Sequence, residues 1–262
     1  MKYYVVADPH GFYSYLKASL EDAGFFKETA PHKLIVCGDV LDRGTEPAEI
    51  VDFLLELASK DMLILIRGNH EDLFSQCLQD ISNGKAYDIA CGCSHHYSNR
   101  TWHSILQLTK MKESEAVEYA ASLVARARNT RFYRELLPLC VDYFETDHYV
   151  FCHGWIPVTN KGDRYAPIYE YDPDWREADV TAWRSARWYN GMEMACERQI
   201  KEPDKTIVCG HWHTSFGHSK YEGNGTYRGD NDDLTPFCAE GIVALDGCTV
   251  RSKCVNCVII ED

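Results

Sequence analysis

No apolar run in this chain approaches the roughly 18 residues that a membrane-spanning helix needs. The first strand-like segment meets a carboxylate at Asp8, too soon for a signal peptide. A basic surplus is missing too: 27 Lys and Arg stand against 40 Asp and Glu, a formal net charge of −13. Such a surface does not grip nucleic-acid backbones or anionic membranes, so neither is expected as a general partner. An anionic substrate stays open, because bound cations reverse the field locally. The GxxxxGK[ST] phosphate loop and the GxSxG nucleophile elbow are both absent, which sets aside common nucleoside-triphosphatases and serine hydrolases. There is no internal repeat, no low-complexity tract and no dividing linker. A single domain over residues 1–262 is the expectation.

Cysteine is plentiful instead, with twelve in the chain. Cys37, Cys152 and Cys209 lie in apolar strand-like runs, where the thiol acts as a small hydrophobe. An apolar content of 45% fills a core without disulfides, so a reduced, cytoplasmic protein is expected. Cys254 and Cys257 have zinc-like spacing but no second such pair to close a site. Cys91, Cys93, His95 and His96 read as an exposed loop with reduced thiols.

The first seventy residues alternate between strand-like runs at 3–7, 33–37 and 62–66 and helical runs at 13–23 and 47–59, the second opened by Pro47. That is the pattern of parallel β/α units, whose strand C-termini share one edge. A helical insertion follows, to about 137 from about 84; within it the apolar spacing over 113–129 predicts a helix covering the sheet. Strands are predicted at 141–145, 148–152 and 205–209, and a β-meander at 241–246, 248–251 and 255–260.

Short chemical words stand at the strand ends: Asp8-Pro9-His10-Gly11, Gly38-Asp39-Val40-Leu41-Asp42-Arg43-Gly44 and Gly68-Asn69-His70-Glu71, then His153-Gly154 and Gly210-His211-Trp212-His213. A divalent pair about 3.5–4 Å apart needs a bridging oxygen ligand with flanking groups on each ion. Asp39 suits the bridge, Asp8 and His10 flank one ion, and Asn69, His153 and His211 supply the second. Two such ions bring the pKa of a shared water from 15.7 toward ~7, so no side-chain nucleophile is required.

These words resemble the calcineurin-like metallophosphoesterases of the bacterial serine/threonine phosphoprotein phosphatase type, whose motifs run GDxHG, GDxxDRG, GNHE, HG and GH in this order. The resemblance runs from Asp8 to His213. It implies an α/β chain folded as four α/β/β/α layers, a central β-sandwich flanked by helices. It implies Asp8, His10 and Asp39 on the first metal, and Asp39, Asn69, His153 and His211 on the second. His70 resembles the acid that protonates the leaving oxygen, Asp42 its orienting partner, and Arg43 a phosphate grip, with Asn69 also facing the phosphate. A further phosphate-binding Arg is implied near Trp183-Arg184-Ser185-Ala186-Arg187, where spacing does not decide between Arg184 and Arg187. The wider superfamily sends the second His of GHxH, here His213, to the first metal. Mn²⁺ is the implied working metal, with Fe or Zn able to take one position.

The implied reaction is hydrolysis of phosphomonoesters, foremost phosphoserine and phosphothreonine in proteins or a small phosphoester, by in-line attack of metal-bridged hydroxide. The alternative is a symmetrical diadenosine-tetraphosphate hydrolase. That relative typically lacks the acid at Asp42 and ends its GNHE word in Asp, so Asp42 and Glu71 favour the phosphatase. A non-catalytic scaffold would have lost ligands that are all present here. Two departures stand out. Pro9 replaces an aliphatic residue, and Trp155 follows His153-Gly154 where a small residue is common, which predicts a large ring near the mouth of the site.

Overall fold

Parallel β/α units open the chain in the computed structural model, which describes residues 1–163 and 166–262. Strand β1 (Lys2–Val6) leads through α1 (Tyr13–Asp22) to β2 (His32–Val36), and α2 (Pro47–Ser59) leads to β3 (Leu63–Leu65). Helix α3 (Asn69–Ser82) starts the helical stretch, followed by α4 (Ala86–Ala90), α5 (His95–Ser98), α6 (Thr101–Thr109), α7 (Glu113–Glu118) and α8 (Ala120–Arg128). Strands β4 (Phe144–Glu145), β5 (Tyr149–Phe151), β6 (Val158–Asn160) and β7 (Tyr169–Tyr171) come next. Helices α9 (Val180–Ala186) and α10 (Gly191–Cys196) then precede β8 (Thr206–Cys209), β9 (Phe237–Ala239), β10 (Ile242–Ala244) and β11 (Cys257–Glu261).

The strands form two main sheets, β11-β1-β2-β3 and β4-β5-β8-β10-β9, with β6 and β7 as a separate hairpin. β1, β2 and β3 are parallel, in register from Lys2 opposite His32 and from Leu34 opposite Leu63. β5 and β8 are parallel, as are β8 and β10. Alternating residues send one face of each sheet inward. Val5, Ala7, Ile35 and Cys37 of the first sheet meet Phe151, Val208 and Leu245 of the second in a shared core. The outer face of the first sheet, with Tyr4, Val6, Leu34 and Val36, packs on the helices from α1 to α8. Val150, Ile207 and Ile242 carry the outer face of the second against Trp175, Trp183 and Met194. Four layers, α/β/β/α, result.

The predicted meander at the end of the chain is not one sheet. β10 lies in the second sheet, and β11 pairs antiparallel with β1 in the first. Residues 248–251 turn helically, at Thr249–Ser252, between left-handed Cys248 (φ 48°) and Lys253 (φ 58°). Asp246 accepts from the Cys248 N–H at 2.8 Å, and that turn switches the chain between sheets. The helix expected over 113–129 breaks at Tyr119 (φ −116°, ψ 50°), which separates α7 from α8.

Candidate metal centre and active site

Every one of the five words leaves the C-terminal end of a strand: β1, β2, β3, β5 and β8. To turn inward at that edge the backbone adopts left-handed φ at Asp8 (53°), His10 (47°), Asp39 (57°), Asp42 (75°), Arg43 (64°) and His211 (70°). Such a conformation persists only where neighbours over-determine it. Glu71 is one determinant. Its buried carboxylate accepts the N–H groups of Gly68 (2.7 Å), Asp39 (3.0 Å) and Val40 (3.0 Å), tying two words together. Burial, then the Asp39 charge, push the Glu71 carboxyl up to about 7 against those three donors. Glycine is required at 68, because a Cβ there would lie 2.2 Å from Asp39 Oδ1.

Two groups of donor atoms share Asp39. His10, Asp39 and His70 form one, and Asp39, His153 and His211 the other, with all atoms of a group within 4.8 Å of one another. His10 Nε2 lies 3.8 Å from both Asp8 Oδ1 and Asp39 Oδ2, and His153 Nε2 lies 3.4 Å from Asp39 Oδ1 and 2.8 Å from Asn69 Oδ1. Backbone carbonyls fix the tautomers. His10 Nδ1 donates to Leu41 O at 2.9 Å and His153 Nδ1 to Cys37 O at 2.7 Å, so both Nε2 lone pairs face the donor groups. Burial, then Arg43, hold the His10 imidazole well below its ordinary value, and burial with His153 brings His211 down to about 3. Neutral imidazoles are what a metal binds. Burial works the other way on Asp39, but the imidazoles of His153, His70, His10 and His211 outweigh it and keep the carboxyl below the usual range.

Among the described residues Asp8 Oδ1 is buried with no hydrogen-bond partner, and burial, then the charges of Asp246 and Asp39, push its carboxyl well up. An unneutralised buried carboxylate beside imidazole lone pairs is costly without a cation. Carboxylate, imidazole and amide oxygen form a donor set suited to a divalent metal pair, so these residues fit such a pair.

His70 stands apart from the other imidazoles. Its Nδ1 lies 2.6 Å from Asp42 Oδ2, and Asp42 in turn accepts from Thr101 Oγ1 (2.6 Å) and Ser104 Oγ (2.6 Å) of α6. The helical stretch therefore reaches the site and holds the partner of the expected acid. Burial pushes the His70 imidazolium down, but Asp39 and the bonded Asp42 prevail and leave it raised. Arg43 donates to His10 Nε2 at 2.8 Å and lies 3.5 Å from His70 Nε2.

A cleft of about 260 Å³ opens over Arg43, Asn69, His70, His211 and His213. Its walls are Trp188, Trp212, Tyr227, Asn99 and Arg228, and no described residue lining it is acidic. Neither arginine from the Trp183 stretch lines it. Arg184 is exposed on α9, and Arg187 is buried with Nη1 donating to Asp72 at 2.7 Å and Nη2 to Asp142. Its guanidinium is committed to carboxylates of the chain, and the second cleft-lining guanidinium is Arg228. Trp155 is not at the mouth: it is buried among Cys152, Ile156 and Ala195, close over Gly191. Trp175 and Trp183 pack likewise, Arg164 and Tyr165 lie outside the described residues, and of the described aromatic residues from 155 to 188 Trp188 lines the cleft. Cys91, Cys93, His95 and His96 do not gather into a metal-binding group among the described residues, and all twelve cysteines are free thiols. No helix of the described residues is long and apolar enough to cross a membrane. Thr101, Ser104, Tyr227, Arg228 and Asp246 carry no motif, and only their meeting in space marks them.

A profile of the calcineurin-like phosphoesterases matches residues 1–215. No curated protein matches the chain. Among solved structures, a candidate diadenosine tetraphosphatase is 13% identical, with 100% of this chain and 94% of that one covered, at a TM-score of 0.47. A cold-active protein tyrosine phosphatase is 12% identical, covering 99% and 73%, at 0.50. A serine/threonine phosphatase from Saccharomyces cerevisiae with similarity to human phosphatase PP5 is 15% identical, covering 80% and 61%, at 0.37. At such identities the likeness to the tyrosine phosphatase is one of fold. With the profile spanning most of the sequence and its motifs meeting at strand ends of the two facing sheets, the chain belongs to the calcineurin-like phosphoesterase family, and its activity class is metal-dependent phosphoester hydrolysis.

Proposed function

We propose that this protein is a phosphomonoesterase acting on phosphoserine and phosphothreonine in proteins. The observation that carries the reading is the Asp42–His70 pair at 2.6 Å, facing the cleft beside Arg43. A serine or threonine alkoxide is a strongly basic leaving group and needs a proton as it departs. A leaving group that is itself a phosphate, as in a dinucleoside polyphosphate, departs without one. An acid held by a carboxylate that Thr101 and Ser104 support therefore fits the alkoxide.

When bound, a divalent pair held by Asp8, His10, Asp39, Asn69, His153 and His211 supplies an activated water and withdraws charge from the phosphoryl group. Arg43 and Arg228 bring guanidinium groups to the phosphoryl oxygens, and Asn69 borders the same space. Asp42 receives the Nδ1 proton of His70 in a hydrogen bond, and Nε2 delivers its proton to the leaving oxygen. His213 is proposed as a ligand of the first metal, and Mn²⁺ as the working ion.

One observation favours the alternative, diadenosine tetraphosphate. Trp188, Trp212, Tyr227 and Arg228 give the mouth aromatic faces and positive charge, which suit a nucleobase and extra phosphates. The test offers Mn²⁺-loaded protein a phosphoserine peptide together with diadenosine tetraphosphate and quantifies inorganic phosphate and ADP. Phosphate without ADP supports the phosphomonoesterase. Dominant ADP overturns it in favour of the dinucleotide.

A further inference from the structure

Three buried polar atoms without hydrogen-bond partners among the described residues belong to neighbouring parts of the site: Asp8 Oδ1, His213 Nδ1 and Asp246 Oδ2. Asp246 leaves β10, and the structure ties its turn to the other two. Thr214 N donates to Asp246 O at 2.9 Å, Thr249 Oγ1 to Asp8 O at 3.0 Å, and His211 N to Asp8 Oδ2 at 3.0 Å. Asp246 Oδ1 is occupied by the Cys248 N–H, and Oδ2 lies 3.9 Å from His213 Nε2. Among the described residues the ion-pair partners within 4.0 Å are His10 for Asp8 and His213 for Asp246, so neither carboxylate meets a Lys or Arg. Arg251, which also acts on His213, is engaged by Asp232.

We propose that Asp246 is a positioning residue of the metal centre, which holds the proton of His213 on Nε2 and so leaves Nδ1 free as the ligating nitrogen. A metal-bound imidazole commonly donates its other N–H to a carboxylate, and that partner sets both tautomer and ring orientation. Here Asp246 faces Nε2 while Nδ1 is the buried, partnerless nitrogen of a ring that lines the cleft. The two atoms, 3.9 Å apart, would form that hydrogen bond if the ring turned toward an ion on Nδ1. The inference rests on the reading of this site as a metal centre.

Asp246→Asn separates this role from a structural one. The amide oxygen still accepts from Cys248 N–H, but its NH₂ faces His213 Nε2, which must then accept and carry its proton on Nδ1. Mn²⁺ alone is titrated into apo protein and free ion counted by electron paramagnetic resonance. The expectation is two ions in the wild type, and in D246N one of them weakened about 10–100-fold, with an unchanged thermal midpoint. H213A weakens the same ion, and D246N adds nothing in the H213A background. Wild-type affinity for both ions in D246N, or a further loss in the double variant, overturns the role of Asp246. A wild type that binds no Mn²⁺ overturns the metal centre instead. If D246N does not fold, ¹⁵N spectra of the Zn²⁺-loaded wild type decide: His213 protonated on Nε2 supports the proposal, and protonation on Nδ1 overturns it.

Discussion

Two clusters of buried charge start from the same turn of α3 and follow opposite rules. Asp72 meets Arg187 at 2.7 Å and Arg67 at 3.4 Å, and Arg187 reaches Asp142 with its other arm. There the chain supplies its own counter-charges. Asn69 and His70, three and two residues earlier, face Asp8, Asp39 and three further imidazoles, where among the described residues Asp8 Oδ1 has no hydrogen-bond partner and Arg43 hydrogen-bonds imidazole nitrogen. In the first arrangement every charge has a counter-charge, although Arg187 Nε is without a hydrogen-bond partner among the described residues. The second withholds cations from buried carboxylates, and that deficit is the mark of a site built for an added ion. Burial alone does not separate the two; counting partners does.

The largest effect should come from the shared carboxylate. Asp39→Asn removes the charge common to both donor groups, so hydrolysis should become undetectable and Mn²⁺ stoichiometry should fall below one. Full metal loading of that variant would break the contrast at its root. Next is His70→Asn. It should lower kcat on a phosphoserine peptide about 10²–10⁴-fold with both ions retained, and lower it less on p-nitrophenyl phosphate, whose leaving group needs little protonation. Equal losses on the two substrates would remove His70 from the role of acid. Asp42→Asn should reproduce the same substrate dependence at smaller amplitude.

Arg187→Met tests the paired cluster. Removing the guanidinium leaves buried Asp72 to the more distant Arg67 and half-buried Asp142 to water, at a cost of about 3 kcal/mol in stability. Activity per folded molecule should stay within about twofold of the wild type, because Arg187 does not line the cleft. Urea midpoints and kcat of the same preparation decide. A stable variant with lost kcat would return Arg187 to phosphate binding.

The fold was legible where periodicity and motif coincide. Residues 47–59 form the helix that their apolar spacing and Pro47 predict, and β1, β2 and β3 emerge within a residue or so of their apolar runs. The gathering of Asp39 with His10, His70, His153 and His211 was legible because each is tethered to a strand end by a glycine-bearing word. Arg187 was not, because a Trp-Arg spacing is blind to the carboxylates of Asp72 and Asp142 that claim the guanidinium in space. Trp155 failed for a related reason: the sequence shows a large ring beside His153, but which way it turns depends on the small residues Gly191 and Ala195 that make room for it. Thr101 and Ser104 had no signal at all, since a hydroxyl pair on a helix looks the same whether it faces water or Asp42. The meander failed at Cys248, where a side-chain acceptor from Asp246 redirects the backbone between sheets.

The smallest effect lies in a third cluster, paired like that of Asp72 but partly open to water. Glu145 accepts from Arg176 Nη2 at 2.7 Å and from Lys205 Nζ at 3.0 Å, and about a third of its side chain is exposed. Arg176, then Lys205, bring its carboxyl down to about 2 against the opposing pull of burial. A group depressed in the folded state contributes stability above its unfolded value of 4.5, and that stability drains away as pH falls toward 2. Glu145→Gln should therefore cost less than about 1 kcal/mol at pH 7, and the gap between its urea midpoint and that of the wild type should narrow as pH drops from about 6 to about 3. A gap that widens in acid would mean the Glu145 charge is not stabilising. A loss as large as that of Arg187→Met would mean that solvent access does not distinguish the two paired clusters, and that completeness of pairing alone sets their worth.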